Sequence, residues 1–163
     1  MSVWRDMIMA AMLVGGSATI ASSAPAQTAG QRPGAAESIS FELQSWGSPM
    51  EGFTIASDGS GEFHKAPALR AAVQTSRFNA GRAGFARIRA VLASVEHYAA
   101  AEVPCGSRMT DFPYGEIVWQ RGSRRAAVRL DVGCRSPEMQ AVVQRAQQAT
   151  TLAEGYARTH RAR

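Results

Sequence analysis

The chain has 163 residues, 45% hydrophobic and 19% charged, with a formal net charge of +5, 2 cysteines and 3 histidines. That length suits one domain with a true core, and two cysteines are too few for a structural zinc site. Every basic residue except Lys65 is an arginine, and they are scattered along the chain. Such a distribution reads as solvated surface, so no nucleic-acid partner is expected.

Residues 1–26 read as a secretory signal. Arg5 precedes an apolar run from Met7 to Val14, and Ala24-Pro25-Ala26 supplies a small-x-small cleavage pattern. The run is shorter than the ~20 apolar residues a spanning helix needs. The expected chain is therefore periplasmic or secreted and not transmembrane after cleavage, with an uncleaved anchor as the alternative. Residues 27–37 carry Gly, Ala and Pro without periodicity and read as a flexible lead-in.

Ile39, Phe41 and Leu43 alternate with Ser40, Glu42 and Gln44, which predicts a first strand over Ser38–Trp46. Gly47-Ser48-Pro49 breaks it, and Phe53 and Ile55 open a second strand. Ser57-Asp58-Gly59 then predicts a three-residue turn with Gly59 left-handed. This length sets Phe63 opposite Phe53; a two-residue turn would lose that apolar match. Pro67 to Ala80 has the weakest pattern, with Ala71 and Val73 as a candidate short edge strand. Phe85, Ile88, Leu92, Val95 and Ala99 recur at helical spacing, so a helix is expected over Arg82–Ala101, stopped by Pro104.

Ile117 and Trp119 alternate with polar neighbours, as do Ala126, Val128 and Leu130. Gly122-Ser123 between them predicts a two-residue hairpin turn with Gly first. Arg121 then faces Arg124, Trp119 faces Ala126, Ile117 faces Val128, and Glu116 lies opposite Arg129. Cys105 and Cys134 flank this hairpin. A disulfide between them is worth roughly 3–4 kcal/mol in the chain-entropy model; the alternative is two buried free thiols. Ser136, Pro137 and Glu138 predict the start of a last helix, with Gly155 fraying it and 158–163 a polar tail.

The order is β-β-β-α-β-β-α. It predicts an α+β domain over 38–157, an antiparallel sheet of four to five strands with two helices on one face. A D-G turn in FTIASDGSGEF (Asp58, Gly59), T-D ahead of a hairpin (Thr110, Asp111) and a G-C before the last helix (Gly133, Cys134) resemble small exported bacterial α+β proteins of unknown function. The resemblance covers about 38–157 in element order. It implies export and an α+β fold, and no activity.

No catalytic, cofactor or metal motif is present. Glu62 and His64 share a strand face at i, i+2 spacing, which admits a small hydrolase or transferase; the plainer reading is a polar face in water. His97, beside Glu96, reads as surface, and His160 falls in the tail. Asp111, Phe112 and Tyr114 form a candidate contact loop, unless the two rings cap the core and Asp111 bonds nearby amides. Trp46 and Trp119 read as core or sheet-edge packing, with sugar stacking as the alternative. Arg121, Arg124 and Arg125 are a candidate anion patch at a hairpin tip, which admits an anion-binding envelope-structural protein, or else a charged, soluble tip. The leading expectation is a non-catalytic binding module whose partner is an envelope protein or an anionic envelope component.

Overall fold

The structure, a computed structural model, describes residues 37–161. The expected signal (1–26), the lead-in apart from Glu37, and residues 162–163 of the tail lie outside the described residues. The elements are β1 (Glu37–Ser45), β2 (Ser48–Ala56), β3 (Ser60–Lys65), β4 (Gln74–Asn79), α1 (Gly81–Leu92), a 3-10 helix (Glu96–Ala100), β5 (Tyr114–Arg121), β6 (Arg124–Asp131) and α2 (Pro137–Thr159). The class is α+β. The sheet has six antiparallel strands, not four to five, in the order β4-β3-β2-β1-β5-β6.

Alternation along each strand sends one set of side chains to a single buried face. Ile39, Phe53, Ile55, Ile117 and Trp119 are wholly buried there, together with Ile88 and Leu92 of α1 and Val142, Ala149 and Ala153 of α2. Full burial of one such large side chain contributes about 1.5–3 kcal/mol. Both helices cover that face. The opposite face, bearing Ser40, Glu42, Thr54, Glu62, His64 and Glu116, is open to solvent.

Both hairpin registers are as the sequence predicts. Phe53 pairs with Phe63 around the Ser57-Asp58-Gly59 turn, where Gly59 has φ +90°. A Cβ on Gly59 would collide with the Gly81 backbone, so the residue serves both the turn and the close approach of α1. Arg121 faces Arg124, Trp119 faces Ala126 and Ile117 faces Val128, with Gly122 at φ +59°. Cys105 and Cys134 are joined as a disulfide, with a Cα–Cα distance of 4.8 Å.

Four boundaries differ from expectation. β2 begins at Ser48, not Phe53, because Trp46 (φ +52°) and Gly47 (φ +74°) make a tight turn directly after β1. Pro49 then sits beside the register shift at Leu43/Gln44, where a missing N–H is tolerated. The edge strand is Gln74–Asn79, not Ala71–Val73; only its Phe78 is buried. α1 ends at Leu92, and a 3-10 segment continues the chain while Val95 still buries. α2 runs through Gly155 to Thr159. The expected tail is partly tied down: Asn79 N–H donates to the His160 carbonyl, and Phe78 bridges to Arg161.

Candidate functional site

The open face carries one cross-strand row with chemistry on it. His64 lies opposite Gly52, Gly52 opposite Glu42, Glu42 opposite Glu116, and Glu116 opposite Arg129. Gly52 has no side chain, so the His64 ring lies over it and brings Nε2 to 2.8 Å from Glu42 Oε2. The imidazole thus pairs with Glu42 and not with Glu62. Glu62 is held instead by Arg77 Nε at 2.8 Å. Neither His64 nor Glu42 lines a cavity of about 1140 Å³ beside β6 or one of about 240 Å³ beside Pro67.

The second feature is an end of the sheet. The end of β1, the start of β2, the end of β3, the starts of β4 and β5 and the end of β6 all lie together there by their pairing. The large exposed hydrophobics of the described residues are Trp46, Leu69, Val73, Met109, Phe112 and Tyr114. Every one of them belongs to this end. Trp46 is 67% exposed on the β1–β2 turn. Leu69 and Val73 come from the β3–β4 connection, and Met109 and Phe112 from the segment leading into β5. Two positive-φ residues, Arg70 (φ +64°) and Asp111 (φ +67°), shape those connections.

Of the expected contact loop, Phe112 and Tyr114 are exposed and do not cap the core; Tyr114 is the first residue of β5. Phe112 lies under Arg135, whose guanidinium carbon is 5.6 Å from the ring centroid. The Asx-type bond expected of Asp111 is made instead by Asp131, whose Oδ1 accepts from Gly133 N–H at 2.8 Å. Trp46, read as packed, is the most exposed large apolar residue of the group, whereas Trp119 is wholly buried. Polar neighbours frame this end in pairs: Lys65 with Glu51 at 3.6 Å and Arg108 with Asp131 at 3.1 Å.

The arginine tip lies at the opposite end, and its three members do not act together. Arg121 turns inward, donating to Glu37 Oε1 at 2.7 Å and to Glu96 Oε1. Those carboxylates, Glu96 first, hold its guanidinium well above its ordinary pKa. Arg125 donates to Glu116. Arg124 and Arg125 are both exposed, Arg124 directly at the turn. Glu42, Leu69 and Met109 escaped the sequence reading, while Trp46 was read as packing and Val73 as part of an edge strand. The available signal was large apolar residues inside Gly- and Pro-bearing connections, where burial is not expected. No family model and no curated protein matches this chain.

Proposed function

We infer that the protein is an exported binding module that performs no catalysis and makes contact through the apolar end of its sheet. One observation carries this reading: the large exposed apolar side chains gather at one end, on turns held by the sheet behind them. A cluster of aromatic and aliphatic residues rimmed by charge marks an interaction site more often than a plain surface. The Cys105–Cys134 disulfide and the signal-like residues 1–26 support an oxidising destination, periplasmic or secreted. The partner class is an envelope protein.

Site-specific photo-crosslinking in the producing cell tests this. A crosslinker at Trp46 or Phe112 should give a discrete adduct that one at Arg124, on the far end, does not. Adducts from all three positions alike, or from none, would reject the reading.

A second reading has one observation in its favour. The His64–Glu42 pair is an imidazole held by a carboxylate, the arrangement general-base chemistry uses. It sits on an open face and lines neither the cavity beside β6 nor the one beside Pro67, which is why it ranks second. Loss of a turnover on His64→Ala with the fold intact would reverse the order.

A further inference from the structure

Met109 and Arg135 meet at the apolar end of the sheet in a chemically lopsided pair. Met109 is 47% exposed. Its thioether sulfur accepts from Arg135 twice, from Nε at 3.2 Å and from Nη2 at 2.6 Å. A guanidinium is a rigid fork of strong donors suited to oxygen, whereas a thioether sulfur is a weak acceptor. The same guanidinium lies over the Phe112 ring. Among the described residues Arg135 joins no ion pair. Two strong donors are therefore spent on sulfur, where an oxygen would hold them far better.

The backbone fixes this meeting from behind. Cys105 and Cys134 are bonded, and Arg108 forms a bridge with Cys134. Met109 N–H donates to the Gly133 carbonyl, and Arg135 N–H donates to the carbonyls of Cys105 and Ser107. A Cβ on Gly133 would collide with the Met109 carbonyl oxygen, so glycine permits the approach. Met109 and Arg135 thus lie on adjoining segments of a short ladder tied by the disulfide.

The other methionines of the described residues are placed differently. Met139 is 5% exposed, and its Sδ accepts from Asp131 N–H at 3.4 Å. Met50 is half-buried. Met109 combines an open side chain with a cation already on its sulfur.

We propose that Met109 is a two-electron oxidation site for hydrogen peroxide and that Arg135 captures the resulting sulfoxide. A sulfur lone pair attacks one peroxide oxygen; an S–O bond forms and the O–O bond breaks. Sulfur loses two electrons and the peroxide gains them. The proton on the transferred oxygen leaves with the departing hydroxide as water, giving methionine sulfoxide. Arg135 is itself exposed, so its long side chain can draw back as the oxygen enters. The new oxygen then accepts from the same fork. The apolar end is left with a polar group where it had an apolar one. This goes beyond the proposed contact and does not depend on it.

The test treats the purified full chain with hydrogen peroxide and follows it by peptide mapping. Met109 should take up oxygen at least ~10-fold faster than Met139, and ahead of Met50, because susceptibility follows exposure. In NMR spectra the Arg135 Nε–H signal should move downfield as oxygen replaces sulfur. It should not move in Met109→Leu, where the other methionines still react. The change in thermal midpoint on oxidation should be more favourable in wild type than in Arg135→Ala by ~2 °C or more. The proposal is overturned if Met50 or Met139 reacts before Met109, or if the Arg135 signal ignores oxidation at Met109. It is equally overturned if the midpoints of wild type and Arg135→Ala change alike.

Discussion

His64 Nε2 reaches Glu42 Oε2, 2.8 Å away, by passing over a strand on which it meets no side chain, because Gly52 lies between them. The pair therefore spans β3 to β1 and depends on a missing Cβ. An added methyl at Gly52 would fall 2.7 Å from His64 Cε1 and would also collide with the Phe41 carbonyl oxygen.

Gly52→Ala should therefore cost about 1–3 kcal/mol in urea unfolding, as overpacking does. Adding His64→Ala should recover only part of the loss, since the ring can be removed but the Phe41 carbonyl remains. Full recovery would show that the ring alone sets the constraint, and a neutral Gly52→Ala would remove the constraint altogether.

The hairpin registers were legible because each has two independent signals, a turn chemistry and an apolar alternation that must match across it. Phe53 with Phe63 and Trp119 with Ala126 follow from both together. β4 was not legible, since Gln74, Thr75, Ser76 and Arg77 show no alternation and Phe78 is its single buried residue. The end of α1 was blurred for a different reason. Val95 keeps helical spacing to Leu92 although a 3-10 segment now carries the chain, so the periodicity outlasts the helix. The apolar end was only half legible. Alternation reports which face of a strand is buried and is silent about the turn residues Trp46, Leu69 and Met109. The contacts of Arg121 were out of reach, because Glu37 and Glu96 come from distant elements.

Arg121 ties the start of β1 and the 3-10 helix to the end of β5 through Glu37 and Glu96. Arg121→Ala should lower stability by about 1–2 kcal/mol, the range of charge-assisted bonds reduced for partial exposure. Arg124→Ala, at the exposed turn, should stay within ~0.5 kcal/mol. Equal costs in thermal or urea unfolding would mean that the inward pairs add nothing. The contrast also bears on anion binding. Vesicle binding that depended on Arg121 as much as on Arg124 would require the inward pairs to open.

Asp58 is the clearest source of acid sensitivity. Ser60 Oγ donates to its Oδ1 at 2.6 Å and Ser60 N–H at 2.9 Å, and these bonds, the hydroxyl first, hold its pKa below the ordinary 3.8. A lowered folded value means the charged form is favoured by folding. Its contribution is complete above the unfolded value and fades as pH falls through the folded one. Ser60→Ala removes the leading cause, so the Asp58 carboxyl should titrate closer to its ordinary value by NMR. The stability gap between wild type and variant should be constant at neutral pH and shrink only in the acid range. A gap that grew on acidification would contradict the assignment.

The Cys105–Cys134 bond stands at a junction that hydrogen bonds also hold. The Cys105 carbonyl accepts from the N–H groups of Arg135 and Ser136, and Ser136 Oγ donates to the Pro104 carbonyl while accepting from Met139 N–H. Gln140 Nε2 donates to the Cys134 carbonyl. The cross-link closes a loop with a sequence separation of 29, so Cys105→Ala with Cys134→Ala should cost about 3–4 kcal/mol through the unfolded chain. The polar bonds remain, so the N-terminus of α2 should keep its amide protection once global stability is allowed for. The segment Tyr98–Val103 has fewer such ties, and hydrogen exchange should rise there first. Loss of protection at α2 before Tyr98–Val103 would show that the disulfide, and not the hydrogen bonds around Ser136, holds the helix start.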